Sequence, residues 1–163
     1  MSFPIEIIPN RGLGHILFGA FLDEVRCELG VPASNYDPTR LNNSYKLLFY
    51  DDPKCRFMFI PGYCDAARGG STEPRLLLIT AESRRFTLFG EQFIGETEAV
   101  LRMRLSAHGL VDPRDVPREE DISLRSPSYK RLSYGDLSLH IYLFDGIVTQ
   151  IAWDMVTSTS FPS

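Results

Sequence analysis

The residue pattern predicts an α+β fold: an antiparallel sheet with helices on one face, arranged as a tandem helix-plus-sheet repeat. Three observations predict it. The stretch Leu137–Phe144, Asp145-Gly146, Ile147–Val156 reads as a hairpin, with alternating apolar positions around a two-residue turn. Two short segments carry apolar residues at helical spacing and each ends at a glycine, Gly30 and Gly109. The tripeptide Leu-Phe-Gly occurs twice, at 17–19 and 88–90, and each copy precedes one of those helices. The spacing of about 70 residues implies two similar halves, 1–82 and 83–163, within a single domain of 163 residues.

In order along the chain, Phe3–Pro9 is expected as an edge strand, with Ile5 and Ile7 on one face. Gly12, Gly14 and Gly19 mark turns on either side of a short apolar stretch. Leu22–Leu29 is expected as a helix because Leu22, Val25 and Leu29 fall on one side. Asp23 and Glu24 in its first turn suit the positive end of the helix dipole, and Pro32 prevents its continuation.

Tyr45–Tyr50 and Cys55–Ile60 read as paired strands around the turn Asp51-Asp52-Pro53-Lys54. The Gly- and Ser-rich stretch from Pro61 to Pro74 reads as an exposed loop. Arg75–Thr80, with its run Leu76-Leu77-Leu78-Ile79, reads as a strand buried on both faces. A second helix is expected over Glu96–His108, with Val100, Met103 and Ala107 on one side. Val111–Ser128 reads as a polar connection, with Ile122–Leu124 as a candidate short strand.

The closing hairpin carries the candidate site. With Phe144 opposite Ile147, an unbroken ladder pairs Tyr142 with Thr149, His140 with Ile151 and Ser138 with Trp153. One face then holds Leu137, Leu139, Ile141, Leu143, Val148 and Ala152, the natural core. The other holds Ser138, His140, Tyr142, Phe144, Ile147, Thr149, Ile151 and Trp153, a composition favoured at protein contacts. Two readings of that second face stay open: it is covered by a helix or loop, or it is bare. If it is bare, Asp136, His140, Tyr142, Phe144, Ile151 and Trp153 form the partner-binding cluster.

The formal charge of −4, from 17 basic and 21 acidic residues, argues against a dedicated nucleic-acid or anionic-membrane binder. No apolar run approaches the roughly 20 residues of a membrane span, and the opening Met1–Glu6 has no signal-peptide character, so a cytoplasmic location is expected. Cys27, Cys55 and Cys64 are an odd number, which implies no disulfide framework and fits a reducing compartment; a Cys55–Cys64 bridge stays open.

His15, His108 and His140 make no metal-ligand spacing, and neither Gly12-Leu13-Gly14 nor Gly69–Thr72 completes a nucleotide-binding loop. No Gly-x-Ser-x-Gly elbow occurs. No catalytic residue, metal or cofactor is therefore assigned.

Ile16-Leu17-Phe18-Gly19, Asp23-Glu24-Val25-Arg26 and Leu29-Gly30-Val31-Pro32 together resemble the opening of a group of small bacterial proteins with the pattern G-x-I-x-F-G-x-x-x-x-E-V-R-x-x-L-G-x-P. Phe86–Gly90 with its helix, and the closing Asp-Gly hairpin, look like the same group, so the likeness covers most of the chain. Some of these proteins are regarded as immunity proteins of secreted toxin systems. The helix-then-sheet repeat also looks like the β-lactamase-inhibitor-protein and outer-membrane-assembly lipoprotein folds, which are binding modules. The chain departs from the latter in its signal-free opening, and Phe21-Leu22 stand where a Ser or Thr helix cap is expected.

The resemblance implies a protein partner, a toxin domain neutralised by steric occlusion, and no enzymatic activity. Two alternatives belong to other classes: a small-molecule enzyme whose Cys or His site converges only in the fold, and an adaptor or structural subunit, such as a homodimer.

Overall fold

The computed structural model describes residues 2–36, 45–61, 73–115 and 128–155. Three short strands open the chain, β1 (Glu6–Ile8), β2 (Gly12–Leu13) and β3 (Ile16–Leu17), followed by helix α1 (Leu22–Leu29). Strands β4 (Ser34–Tyr36), β5 (Lys46–Asp51), β6 (Lys54–Ile60) and β7 (Arg75–Ala81) follow. Then come β8 (Thr87–Leu88), helix α2 (Glu98–Ala107), β9 (Arg114–Asp115), β10 (Tyr129–Tyr134), a 3-10 turn at Gly135–Leu137, β11 (Leu139–Phe144) and β12 (Ile147–Asp154).

The fold is α+β. An eight-stranded sheet runs β4-β5-β6-β7-β12-β11-β10-β9, antiparallel throughout. A smaller sheet runs β3-β2-β1-β8, in which only the β1–β8 pair is parallel. The first strand, expected at an edge, is thus interior to the small sheet, because β8 from far along the chain pairs on its free side. Gly12 makes the tight β2–β3 hairpin possible: a Cβ there would stand 1.9 Å from the Ile16 carbonyl oxygen.

Helix α1 has the expected bounds. Phe21 offers no capping oxygen, and the Glu24 carboxylate instead reaches back to accept from the Phe21 N–H at 3.3 Å. Gly30, at φ 85°, closes the helix and donates its N–H to the Arg26 carbonyl at 2.8 Å. In α2 the Thr97 hydroxyl accepts from the Val100 N–H at 3.3 Å, which sets the start two residues later than the expected Glu96.

The side of α2 that carries Val100, Met103 and Ala107 is not the one turned to the core. Leu101 and Leu105 point inward and Met103 is 65% exposed. Several apolar stripes fit this short helix, and the pair of leucines at i, i+4 removes more apolar area from water than Val100 and Ala107 would.

The core lies between the large sheet and a layer formed by the helices and the small sheet. One buried row crosses six strands, Leu48–Phe57–Ile79–Trp153–Leu139–Tyr134. Val25 of α1, Leu101 and Leu105 of α2, and Ile7, Leu13 and Leu88 of the small sheet close over it in a single apolar cluster. The Trp153 indole N–H donates to the Gly12 carbonyl at 2.9 Å, tying the two sheets together across that core.

Each helix is preceded by the same backbone junction. Gly19 N–H donates to Leu76 O and Leu76 N–H to Ala20 O; Gly95 N–H donates to Val148 O and Val148 N–H to Glu96 O, all at 2.8–2.9 Å. Single bridges Phe21–Arg75 and Thr97–Ile147 complete the match. The repeated Leu-Phe-Gly tripeptide sets Gly19 beside Gly90, whereas these hydrogen bonds set it beside Gly95.

Strands β4, β9 and β10 were not anticipated in the sequence. In β10 the inward Leu132 and Tyr134 alternate with Arg131 and Ser133, but Lys130 shares their side, which cuts the apolar alternation short. The candidate strand Ile122–Leu124 and most of the expected loop 61–74 lie outside the described residues.

Candidate functional site on the second sheet face

The second face of the eight-stranded sheet carries a cross-strand row that spans all eight strands: Ser34–Phe49–Arg56–Thr80–Ala152–His140–Ser133–Arg114. At its centre the side chains are small, Thr80 and Ala152, while Arg56 and His140 flank them. A depression of about 430 Å³ results, lined by these four with Leu78, Tyr129, Arg131, Tyr142, Gln150 and Asp154. All ten residues come from strands of this sheet.

The hairpin turn is as expected. Asp145 and Gly146 have φ 51° and 77°, the left-handed pair that a two-residue turn matching strand twist requires. Past it the ladder is not unbroken. Leu143 pairs with Val148 but Tyr142 pairs with Gln150, so Thr149 is an extra residue in a β-bulge. Every β12 residue beyond the bulge therefore changes face relative to the expected register.

Ile151 and Trp153, expected on the binding face, are buried in the core at 1% and 0% exposure. Ala152, assigned to the core, lines the depression instead. His140 and Tyr142 do meet there, and Phe144 stands on the rim, 40% exposed, with its ring 4.9 Å from that of Tyr129. Asp136 is not part of this group: it sits in the 3-10 turn and lines a separate cavity of about 600 Å³ with Phe89, His108 and Leu110.

Sequence reasoning missed Arg56, Thr80, Tyr129, Arg131, Gln150 and Asp154. The signal for Arg56 was present, since Arg56 and Met58 alternate with the apolar Cys55, Phe57 and Phe59. The signals for Gln150 and Asp154 were inverted by the bulge.

Polar contacts fix much of the depression. Arg131 Nη1 donates to the Tyr142 hydroxyl at 3.4 Å, and its guanidinium lies 6.0 Å from the centre of that ring. The Gln150 amide N–H donates to Glu82, which also pairs with Lys54 at 3.9 Å. Arg56 Nε is shielded from solvent and makes no hydrogen bond among the described residues.

At the other end Ser133 Oγ lies 2.9 Å from His140 Nδ1, and the Ser138 hydroxyl donates to Asp154. Burial pushes the Asp154 carboxyl above its usual range; the Ser138 hydrogen bond and the His140 charge oppose this without overcoming it.

Neither described cysteine lines the depression. Cys55 is a free buried thiol, pushed up to about 12 by burial and by the Glu82 charge, and Cys27 is free and exposed on α1. Cys64 lies outside the described residues. Among the described residues no helix is long and apolar enough to cross a membrane.

Comparison of the chain with protein-family models, with curated proteins and with solved structures finds no match.

Proposed function

We propose that the protein is a binding module that docks one protein partner on the face of its large sheet opposite the helices. The supporting observation is the asymmetry of that sheet. One face packs against both helices and the small sheet, while among the described residues the other presents Tyr129, Tyr142, Phe144, Arg56 and Arg131 around a shallow depression. Tyrosine and arginine are the side chains that most often dominate binding energy when desolvated by a partner. A rigid sheet loses little conformational entropy on docking, which favours tight association.

The finer reading rests on the motif likeness described above. The partner is a toxin domain, and the protein is an immunity protein that blocks its active site sterically, acting in the cytoplasm. The mild net negative charge suits a basic partner such as a nuclease. The free Cys27 and Cys55 fit a reducing setting.

Co-expression with the product of the adjacent reading frame, followed by calorimetry, tests this. A Tyr142→Ala, Phe144→Ala double variant that keeps its fold is expected to bind at least about 30-fold more weakly, two modest hot spots' worth. Unchanged affinity would exclude the face.

An enzymatic reading draws on one observation: Ser133 Oγ hydrogen-bonded to His140 beside a carboxyl of raised pKa. Labelling of Ser133 by a fluorophosphonate, abolished in His140→Ala, would support it. Absence of labelling in the folded wild type would remove it.

A further inference from the structure

Arg75 carries a charge that the described fold neither pairs nor needs. It opens β7 and is only 6% exposed. Its guanidinium lies 4.5 Å from the centre of the Phe21 ring, and Nη1 donates to the Gly19 carbonyl at 3.5 Å, the long limit of a hydrogen bond. Among the described residues Nε, shielded from solvent, has no hydrogen-bond partner, and no carboxylate forms an ion pair with the side chain. A buried guanidinium held only by one ring and one distant carbonyl is under-compensated, because burial removes its hydration without returning an anion.

The duplicated junction shows that the backbone does not require this charge. The position equivalent to Arg75 in the second junction is Ile147, and the same hydrogen bonds form there. The backbone junction thus forms with an apolar side chain at this position.

Arg75 borders a cavity of about 690 Å³ whose wall includes Ile16, Phe18, Phe21 and Val25. Three acidic residues of α1 also line it, Asp23, Glu24 and Glu28. Glu24 is engaged by the Phe21 N–H and Glu28 by His15 at 3.1 Å. Their charges disfavour a dianion, so a phosphate monoester is a poor fit. A single negative charge on an apolar body meets the guanidinium and the apolar wall and is repelled by the acidic side less than a dianion is.

We propose that this cavity binds an apolar monocarboxylate, with Arg75 as its anion anchor. The site is separate from the second sheet face and does not depend on docking there. The carboxylate could belong to a free acid or to an apolar C-terminal residue of a peptide, and the experiment's arms separate the two.

The 1H–15N resonance of Arg75 Nε is followed in the full chain by NMR during titration with hexanoate, with hexanol, with Ala-Ala-Phe and with its C-terminal amide. Saturable movement is expected at millimolar concentration with hexanoate, marking a free acid, or with the free-carboxylate peptide alone, marking a chain terminus. Hexanol and the amide are expected to leave the resonance in place. Arg75→Ile is expected to fold with an unchanged or higher Tm and to bind roughly tenfold or more weakly, followed on neighbouring backbone amides. Arg75→Lys, which keeps the charge without the planar fork, is expected to bind with intermediate affinity. The proposal is overturned if neither carboxylate moves the Arg75 resonance saturably, if hexanol moves it equally, or if Arg75→Ile lowers the Tm sharply, since the guanidinium would then belong to the fold.

Discussion

Trp153 and His140 sit one pairing apart in a single hairpin and end on opposite faces of the sheet, because one extra residue at Thr149 turns the rest of β12 over. For Trp153 the result is full burial and a hydrogen bond to the Gly12 carbonyl. Trp153→Phe should destabilise the protein by about 1–3 kcal/mol by removing that buried hydrogen bond and part of the ring's packing, and Trp153→Ala by about 3–5 kcal/mol through the added cavity, both read from urea unfolding. For Asp154 the result is a half-buried carboxyl that holds its proton to higher pH in the fold than in the unfolded chain. Between those two values the native state binds more protons, so stability falls as pH rises through the window above the usual carboxyl range and is level beyond it. Asp154→Asn should abolish that fall, seen as a urea midpoint that no longer declines with pH over the same span. Cys55, its thiol neutral up to about pH 12, should resist iodoacetamide in the folded protein while exposed Cys27 reacts, as peptide mapping by mass spectrometry would show.

At the scale of elements, the parts legible in the sequence are those whose signals are local. The Asp145-Gly146 turn needs positive φ at both positions, and α1 has a glycine stop and a clear apolar stripe, so both were found with their bounds. The parts that were not legible depend on distant partners. A bulge leaves no residue-type signature at Thr149, and β9 is a two-residue strand that exists only because β10 pairs with it. In α2 the inward face is selected by what lies beneath it, not by the helix alone. That helix is fastened to β10 through Glu98, which contacts Lys130 at 3.0 Å and Arg102 at 3.1 Å. Burial opposes ionisation of Glu98, but hydrogen bonds and charge from Lys130 and Arg102 outweigh it and hold the carboxyl below its usual range. Its contribution is therefore complete above the usual glutamate pKa and is lost as pH falls through the lowered value. A Glu98→Gln, Lys130→Met double-mutant cycle should give a coupling of about 0.3–1 kcal/mol, as befits a partly exposed pair.

At the scale of the whole molecule, the two four-stranded parts of the large sheet meet only where β7 pairs with β12, from Ala81–Ile151 to Leu78–Asp154. The α+β class was readable because strand and helix periodicities differ. The joining of the sheet at its centre was not, because residues 78–81 and 151–154 are brought together only by long-range pairing. The rings of Tyr142 and Phe144 share a face through the alternation of the closing hairpin, whereas the arginines and the central hollow come from strands β6, β7 and β10 as much as from that hairpin. A second connection runs through the small sheet: β1, from the start of the chain, pairs with β8, which leads into α2, and Trp153 of β12 donates to Gly12 of β2. That arrangement acts as a clasp. Neither part can swing away without also breaking the parallel strand pair on the far side, so the protein should melt as one unit, with circular dichroism and Trp153 fluorescence tracing coincident curves. Deleting residues 2–8 opens the clasp and should split that single transition in two.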